Sequence, residues 1–417
     1  MNKYDVIVVG AGAAGLIAAG RAGELGAKVL LIEKMERVGR KLLITGKGRC
    51  NITNDAPMSE FLKHVHPNSR VLKHAFNTFF NKDIVSLLSS QGLETVTERG
   101  ERVFPVSDKS ADVVNALMKW TSGNNVEISY HEKLEEILIE NGSISGILTS
   151  KEGKNKTYSC GSVILCTGGN SYPATGSSGE GYKIVKKLGH TVSPVLPALV
   201  PIETEGSIAP ELQGLSLKNV NASIWIDGRK YKDDFGEMLF THFGVSGPII
   251  LTLSRFIVQE LNNKKSLELS IDLKPALDDQ QLDSRLLRDL SEHGKKQVEN
   301  AFKLWLPSKL IPVFMKLIGI EGTKLCHQIS AIERKKIRLL LKDFRLKITG
   351  HRSFKEAIIT SGGINTDEID FKTMQSKLVK KLYIAGEVID LDADTGGYNL
   401  QIAWSTGFLA GESCMKE

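Results

Sequence analysis

The sequence is poor in cysteine and has no long uninterrupted hydrophobic run. Its 417 residues include five cysteines, an odd number without a C-x-x-C pair, so neither a zinc site nor a disulfide framework is expected. The longest apolar candidate, from Pro248 to Val258, is interrupted by Arg255 and is shorter than the roughly 18–20 residues of a membrane span. We therefore expect reduced thiols, no metal and no membrane contact. The cysteines are Cys50, Cys160, Cys166, Cys326 and Cys414.

The N-terminal region lacks the basic, apolar and small-residue segments of a secretory signal peptide. It enters the apolar run YDVIVVG at once. We therefore expect a cytoplasmic protein.

Charge is unevenly distributed along the chain. The formal net charge is +6, but residues 281–350 carry fifteen Lys or Arg against seven Asp or Glu, which is +8 and leaves −2 for the remaining 347 residues. The basic excess therefore belongs to one segment.

The first 33 residues have the pattern of a dinucleotide-binding βαβ unit. DVIVV at 5–9 predicts a strand, Gly10, Gly12 and Gly15 form G-x-G-x-x-G, and Glu33 ends the next apolar run. The glycines permit a tight turn, close approach to a pyrophosphate and close helix packing, while the acid suits a ribose hydroxyl. An acid at this position favours FAD or NAD over NADP, and the motif leaves these two open.

The rest of the chain predicts an α/β protein with inserted segments. Strand and helix patterns alternate to about residue 195, as in a doubly wound sheet, and short runs separated by turn residues then favour an antiparallel barrel or sandwich. A charged helical pattern follows, and buried-strand patterns return later. The predicted segments are 1–195 for the first part of the nucleotide domain, 196–277 for a β domain, 278–340 for a basic helical insert, and 341–417 for the β-domain edge and the second part of the nucleotide domain.

Six motifs occur in order over residues 6–407 and cover nearly the whole chain. They are VIVVGAGAAGLIAA, GRKLLITGKGRCN, ILCTGGNSYPATGSSGEGY, LFTHFGVSGP, AIITSGGI and YIAGEVIDLDADTGGYNLQIAWSTG. In these motifs the sequence resembles the BaiN/RdsA family of NAD(P)/FAD-dependent oxidoreductases. The resemblance implies a flavoprotein with a glutathione-reductase-type FAD domain in two segments, an inserted β domain and a small helical domain.

The stretch GRKLLITGKGRCNIT at 39–53 does not fit a Walker phosphate loop. Six residues separate Gly39 from Gly46-Lys47, and no Ser or Thr follows. The stretch begins six residues after Glu33, so we interpret it chiefly as a flavin cradle. Cys50 in this stretch is either a small packed residue beside the ring or a redox thiol whose thiolate the neighbouring basic residues favour.

Two later motifs complete the predicted flavin site by resemblance. Glu387 takes the position of an acid that binds the ribityl hydroxyls, and the last helix starts at Gly397 with its positive end toward the flavin pyrimidine. No second G-x-G-x-x-G with a following acid is present, so NAD(P)H is expected to dock transiently as reductant. The predicted FAD contacts are Gly10, Gly12, Ala13, Ala14, Gly15, Glu33, Lys34, Arg40, Lys41, Gly46, Gly48, Cys50, Asn51, Leu134, Thr167, Gly168, Gly169, Gly386, Glu387, Gly397, Tyr398, Asn399 and Leu400.

The candidates for proton delivery or other catalytic roles are His242, Tyr398, Tyr172 and Cys50. By resemblance, His242 lies in a β-domain motif that faces the flavin, although a lone histidine is often structural. Arg352 is placed either to neutralise an anionic substrate or to form a surface ion pair.

The sequence IERKKIRLLLKDFRLK and nearby Lys324 concentrate eight positive charges among leucines. The alternatives are an amphipathic helix with a solvated face and a surface that binds RNA phosphates. One branch of the family is implied to reduce uridine in ribosomal RNA, and another to act on small molecules such as bile-acid enones or aminoacetone. The function hypotheses are therefore hydride transfer to a uridine in rRNA, small-molecule enone reduction or amine oxidation, and an FAD-bound RNA assembly factor.

Overall fold

The chain folds into two compact units in the computed structural model, which describes residues 3–416. The first unit contains residues 3–197 and 357–416, and the second is Ala198–Glu356. The outer ends of the predicted domain segments, residues 1 and 417, lie outside the described residues. The finer division of the second unit at residue 278 stays a prediction.

The helices and strands follow the chain in three stretches. Residues 3–198 contain strands β1 (Lys3–Val9), β2 (Val29–Ile32), β3 (Thr53–Asn54), β4 (Val65–His66), β5 (Thr95–Glu98), β6 (Arg102–Pro105), β7 (Val126–Ser129), β8 (Glu132–Glu140), β9 (Ser143–Lys151), β10 (Lys154–Leu165) and β11 (Leu196–Ala198). The helices of this stretch are α1 (Ala13–Glu24), α2 (Arg40–Ile44), α3 (Met58–Phe61), α4 (Lys73–Thr78), α5 (Asn81–Ser90), α6 (Ser110–Ser122) and α7 (Glu180–Lys187).

The second and third stretches complete the chain. Residues 202–351 contain β12 (Ile202–Thr204), α8 (Ile208–Glu211), β13 (Ser216–Ile226), β14 (Arg229–Phe240), β15 (Gly244–Ser246), α9 (Pro248–Asn262), β16 (Leu267–Asp272), α10 (Asp279–Glu292), α11 (Val298–Phe302), α12 (Ile311–Ile318), α13 (Ala331–Lys342) and β17 (Phe344–His351). Residues 359–413 contain β18 (Ile359–Ser361), β19 (Ile369–Asp370), β20 (Gln375–Ser376), β21 (Leu382–Ile384), β22 (Asp392–Ala393) and α14 (Tyr398–Ser413).

The first unit is built on a sheet whose central strands are parallel. Its order is β19-β20-β21-β10-β1-β2-β7, and strands β21, β10, β1, β2 and β7 pair in parallel. The Val, Ile and Leu runs of the middle strands are buried because helices cover such a sheet on both faces. Val9 lies beside Ile32 and Leu165, so the loops after β1, β2 and β10 leave the sheet at the same edge.

Helices α1 and α14 pack in close contact through small residues. A Cβ atom added to Gly407 would lie 2.4 Å from the backbone oxygen of Ala14, and one added to Gly411 would lie 2.4 Å from that of Ala18. These glycines allow the backbones to approach at a distance that other residues would prevent. The first and last helices of this unit are thereby joined.

The second unit contains a closed barrel in the order β12-β15-β14-β13-β16-β17, which confirms the predicted barrel-like insert. The segment 196–277, predicted as a β domain, also contains helix α9, because Pro248 suits a first helical turn and the apolar residues after it recur at helical spacing. Helices α10 to α13 share one hydrophobic core with the barrel.

The basic stretch is not one continuous helix. Helix α13 ends at Lys342, and Arg345 and Lys347 lie on strand β17. Among residues 3–416, no helix combines the length and apolar character needed to cross a bilayer.

Candidate dinucleotide site

The loop after β1 has the backbone geometry that its glycines predict. Gly10 has a φ of +96°, and a Cβ atom there would lie 2.6 Å from the backbone oxygen of Cys166. A Cβ atom on Gly15 would lie 1.8 Å from the backbone oxygen of Gly10. No larger residue fits at this position, because the helix and the loop approach each other too closely. Around Gly12, by contrast, a Cβ atom would meet nothing within 4 Å. The start of α1 is therefore open on the side of Gly12.

Glu33 folds back onto this loop from the end of β2. Its carboxylate accepts hydrogen bonds of 2.9 Å from the backbone N–H groups of Ala11 and Met35. These bonds orient the side chain toward the glycine loop, where a ribose hydroxyl would lie beside a bound pyrophosphate. Ala13 is half-buried and Ala14 is buried, while Leu134 is buried in β8.

The segment between β10 and α7 packs against the end of β2. Lys34 Nζ donates to Ser178 Oγ at 2.6 Å and forms a 2.7 Å ion pair with Glu180. A Cβ atom on Gly176 would lie 3.8 Å from Glu33 Oε1. Sequence reasoning missed this contact because Lys34 and its partners are more than 140 positions apart, and spacing within one motif does not show such pairs.

Lys41 and Glu387 lie at the centre of a polar network. Lys41 Nζ contacts Glu387 Oε2 at 2.6 Å and donates to Ser171 Oγ at 2.5 Å. Glu387 Oε1 accepts from Ser171 Oγ and from the Thr360 backbone N–H, each at 2.9 Å. The predicted ribityl-binding acid therefore has a fixed position and a positive neighbour. Ser171 and Thr360 were not predicted, since single polar residues carry no spacing signal.

The turns around this network need glycine for close approach. A Cβ atom on Gly169 would lie 2.4 Å from Thr360 Oγ1, and one on Gly386 would lie 2.8 Å from the Cβ of Ala14. Gly168 has a φ of +69°. The exits of β10 and β21 are thus packed tightly around the glycine loop.

Arg40 does not extend freely toward the glycine loop. It forms an ion pair with Glu36, and its guanidinium donates to the backbone oxygen of Ala174 at 3.0 Å. It ties α2 to the segment before α7.

The cradle segment after α2 turns sharply. Gly46 and Gly48 have φ values of +56° and +88°. A Cβ atom added to Gly48 would meet no heavy atom within 4 Å, so the space beside this residue is open. The side-chain oxygen of Asn51 is buried and has no hydrogen-bond partner among the described residues. The hydroxyl of Thr167, which follows β10, is likewise buried and without a hydrogen-bond partner among the described residues. Unpaired buried polar atoms and an open glycine loop fit a polar ligand that would lie along this edge.

Cys50 is fully buried, and burial raises the pKa of its thiol to about 11. A buried thiol with a raised pKa is protonated at neutral pH and is a poor nucleophile. The neighbouring Arg49 is paired with Glu98 and Asp108, so it does not favour the thiolate as the sequence suggested. The structure favours the packed-residue alternative over the redox thiol.

The start of α14 lies against the cradle segment. Gly397 has a φ of +98°, and a Cβ atom there would lie 2.4 Å from the carbonyl group of Thr53. The side chain of Asn399 exchanges hydrogen bonds with the backbone N–H and oxygen of Ala393, at 2.9 and 2.7 Å. This amide organises its own loop, and Leu400 is half-buried.

Tyr398 belongs to an aromatic and acidic cluster that sequence reasoning missed. Its ring stacks on His64 with centroids 4.5 Å apart, and His64 Nδ1 lies 2.9 Å from Asp394 Oδ2. His66 Nε2 lies 3.5 Å from the other oxygen of Asp394. Burial, followed by the charge of Asp394, raises the pKa of Tyr398 to about 12. The His-Val-His spacing of residues 64–66 was the available signal.

The remaining catalytic candidates occupy separate places. Tyr172 has a φ of +50° in the segment before α7, within the first unit. His242 is exposed in the second unit, with its ring edge-on to Phe243 at 4.9 Å. Arg352 pairs with Glu203 and Glu356, so the surface ion pair is the alternative that the structure shows.

The fold and the site define an oxidoreductase built on a Rossmann-type FAD-binding fold. The chain belongs to the HI0933-like protein Rossmann domain family, whose model matches residues 4–413.

Three known proteins illustrate the relationship. The chain is 30% identical over 409 residues to the ribosomal RNA dihydrouridine synthase of Escherichia coli, covering 98% of this chain and 97% of that protein. It is 29% identical over 415 residues to the 3-dehydro-bile acid delta(4,6)-reductase of Clostridium scindens, covering 99% of each. The crystal structure of 3-ketosteroid delta1-dehydrogenase from Sterolibacterium denitrificans matches in fold, with a TM-score of 0.53, 13% identity and 99% coverage of each chain.

Proposed function

We propose that this protein binds FAD along the carboxyl edge of its parallel sheet and uses it to reduce an electron-poor C=C bond. The observation that carries the proposal is the open space at Gly12, beside a loop that Glu33 already contacts through Ala11. A helix start of this kind, with free backbone N–H groups and no Cβ atom, suits a pyrophosphate.

The residues at this edge have distinct roles in the proposed complex. Gly10, Gly12 and Gly15 would bring the start of α1 to the pyrophosphate, and Glu33 would bind the adenosine ribose. The network of Lys41 and Glu387 would hold the ribityl chain, and the unpaired Asn51 oxygen would accept a hydrogen bond from the flavin edge. When bound, FAD supplies the hydride that its reduced ring donates.

We propose NAD(P)H as the reductant, docking transiently. Support comes from the sequence, in which only one G-x-G-x-x-G is followed by an acid at the end of the next apolar run. A second resident dinucleotide is therefore not part of the proposal.

For the substrate, we propose a uridine base of ribosomal RNA, whose reduction gives dihydrouridine. This assignment is supported by the 30% identity to the Escherichia coli rRNA dihydrouridine synthase over nearly the full length of both chains. The exposed Lys335 and Lys336 on α13 supply positive charge for the RNA backbone.

A small unsaturated carbonyl compound is the second candidate substrate. The similarity to the bile acid reductase of Clostridium scindens supports it. So does the ion pairing of the basic stretch, since Arg334 pairs with Asp283 and Lys324 with Glu333. These pairs reduce the charge available for RNA compared with the sequence-based expectation.

The FAD assignment is tested by Gly12→Ala with Gly123→Ala as control. An alanine at Gly12 meets no protein atom within 4 Å, so the variant should fold normally but lose FAD. Gly123, at the end of α6, also tolerates a Cβ atom and lies elsewhere on this unit. Flavin absorbance after incubation with FAD should be strong in the wild type and the control and absent in Gly12→Ala. A wild-type protein that stays colourless would overturn the proposal.

The substrate is tested by mapping rRNA modifications in a strain with and without the gene. Loss of a dihydrouridine in the deletion strain supports the RNA substrate, and an unchanged map rejects it. Anaerobic bleaching by NADPH followed by reoxidation with a small enone would then support the second candidate. A flavin that no pyridine nucleotide reduces, in a protein that still binds RNA, would instead favour an assembly factor.

A further inference from the structure

The charged cluster at the start of α14 is not used by the proposed binding of FAD. Asp394 lies between two imidazoles, at 2.9 Å from His64 Nδ1 and 3.5 Å from His66 Nε2. Strand β22 pairs with β4, and the backbone N–H of Asp394 donates to the oxygen of His64 at 3.0 Å. The three side chains are therefore held together by the backbone as well as by their own contacts.

The carboxylate of Asp394 remains charged at all pH values at which the protein would work. The hydrogen bonds and charges of His64 and His66 outweigh its burial and lower its pKa to about 2. A carboxylate of this kind can only accept, so Nδ1 of His64 carries a hydrogen and donates it. The second ring nitrogen, Nε2, is then the atom that gains or loses a proton.

Two side chains lie beside Nε2 of His64. Glu60 Oε1 lies 4.0 Å away, and the ring of Tyr398 covers one face of the imidazole. The imidazole of His64 is about one-third exposed, so water can exchange protons with it.

Three neighbouring elements contribute the other groups that face the cluster. Lys63, beside His64, is paired with Glu60. Asp392 on β22 is buried and accepts a hydrogen bond from Ser361 at 3.2 Å. The first turn of α14 contributes Tyr398 and no acid. The negative groups around the cluster are therefore the carboxylates of Asp394, Asp392 and Glu60. The groups that can carry positive charge are Lys63 and the two imidazoles.

We propose that His64 is the proton-storing residue of this site, taking up a proton on Nε2 when bound FAD is reduced and returning it when the substrate is reduced. The inference rests on the proposed function, and on the expectation from the sequence that the helix starting at Gly397 points its positive end toward the pyrimidine end of the flavin. Asn399 ties the backbone of Ala393 and Asp394 to this first turn, so negative charge arriving there acts on the cluster.

The step balances in atoms and electrons. A pyridine nucleotide provides a hydride, which brings two electrons and one hydrogen to the ring, and His64 binds one further proton from water. Reduction of a C=C bond then consumes a hydride at one carbon and a proton at the other. The N–H bond at Nε2 breaks, its electron pair returns to nitrogen, and His64 becomes neutral again.

The test is the number of protons taken up per two electrons by the FAD-loaded, full-length protein. It follows from the pH dependence of the midpoint potential, measured between about pH 6 and pH 8, the range in which histidine titrates. At the alkaline end of this range, we expect the wild type to take up about one proton more per two electrons than His64→Gln. The control His74→Gln, an exposed histidine on α4, should retain the wild-type value.

Asp394→Asn provides a second, independent variant. In this variant, the pH at which proton uptake per two electrons falls from two to one should be lower than in the wild type. The reason is that the protonated imidazole of His64 loses its carboxylate partner. A wild-type value near one across the range, or an unchanged value in His64→Gln, would overturn the inference. If His64→Gln does not retain FAD, the inference is tested by comparing proton uptake in the wild type with that in Asp394→Asn. Failure of the wild type to bind FAD would overturn the proposed function instead, so the two failures are distinguishable.

Discussion

Lys41 Nζ lies 2.6 Å from Glu387 Oε2, so two residues 346 positions apart in the sequence form one ion pair. The pair joins α2 to the exit of β21, and both side chains are largely covered. Ser171 and Thr360 fill the remaining positions around the carboxylate. The pair and its two neighbours therefore hold four chain segments in one arrangement.

We expect the Lys41–Glu387 pair to show measurable coupling. Lys41→Met and Glu387→Gln should each lower the free energy of unfolding, and the double variant should lose less than the sum. The expected coupling is about 1 kcal/mol, since the pair is charge-assisted and partly screened by solvent. Urea unfolding of the four proteins without FAD measures it. Strictly additive losses would contradict the geometry.

Gly407→Ala should destabilise the first unit by about 2 kcal/mol, because the new Cβ atom would lie 2.4 Å from a backbone oxygen of α1 that cannot move aside cheaply. Gly123→Ala is the matched control, since its Cβ atom would meet only ordinary contacts. Thermal unfolding of both variants gives the comparison. Equal stability of the two would show that α1 and α14 are not in such close contact.

The sequence predicted the first unit well where local pattern and backbone geometry coincide. Gly15 is required by its close approach to Gly10 in the same βαβ unit, and Gly10 by its φ of +96°, and glycines of such a unit recur with fixed spacing. The barrel was also predictable, because turn residues separate the β-type runs of its strands. Helix α9 was not, since its apolar run resembles a buried strand until the helical spacing is counted.

The parts of the site that were missed depend on contacts between distant segments. His64 and Asp394 are 330 positions apart, and Glu387 is reached by Ser171 from the loop after β10 and by Thr360 from β18. Spacing within one segment carries no information about such pairs. The paired state of the basic stretch was unpredictable for the same reason, because the acids Asp279 and Asp283 lie on α10 rather than on α13.

The Asp394 carboxylate should make stability depend on pH. Because its pKa falls from about 3.8 in the unfolded chain to about 2 in the folded protein, its contribution is complete above pH 4 and is lost as the pH falls from about 4 to about 2. The full contribution is about 2 kcal/mol. The stability difference between wild type and Asp394→Asn should therefore be larger at pH 6 than at pH 3. Urea unfolding at both pH values checks this, and a constant difference would argue against a charged Asp394.

All five cysteines should be unreactive in the native protein. Each is buried, and burial raises the pKa of Cys50 to about 11 and the pKa values of Cys160 and Cys414 to about 12. A thiol reagent at pH 8 should modify few groups until urea is added, and then five. Cys50→Ala should keep its FAD and its reduction by NADPH. Rapid native labelling of Cys50, or loss of flavin reduction in the variant, would revive the redox-thiol alternative.

RNA binding through α13 should depend on Lys335 and Lys336 more than on the rest of the basic stretch. These two side chains are exposed, whereas Arg334, Arg338 and Lys342 are engaged with acids of α10 and β16. The double variant K335E/K336E should bind an rRNA fragment more weakly than the wild type. The slope of log binding constant against log salt concentration should also be smaller in magnitude by about two, one unit for each lost phosphate contact.

The charge-matched control for this experiment is K186E/K187E, which reverses two adjacent exposed lysines at the end of α7 in the other unit. Both variants change net charge equally, so a general electrostatic effect would weaken RNA binding to the same extent in each. A selective loss in K335E/K336E, with unchanged FAD absorbance, would identify α13 as part of the RNA surface. Equal losses, or none, would remove the main electrostatic support for an RNA substrate and leave the small unsaturated carbonyl compound as the better candidate.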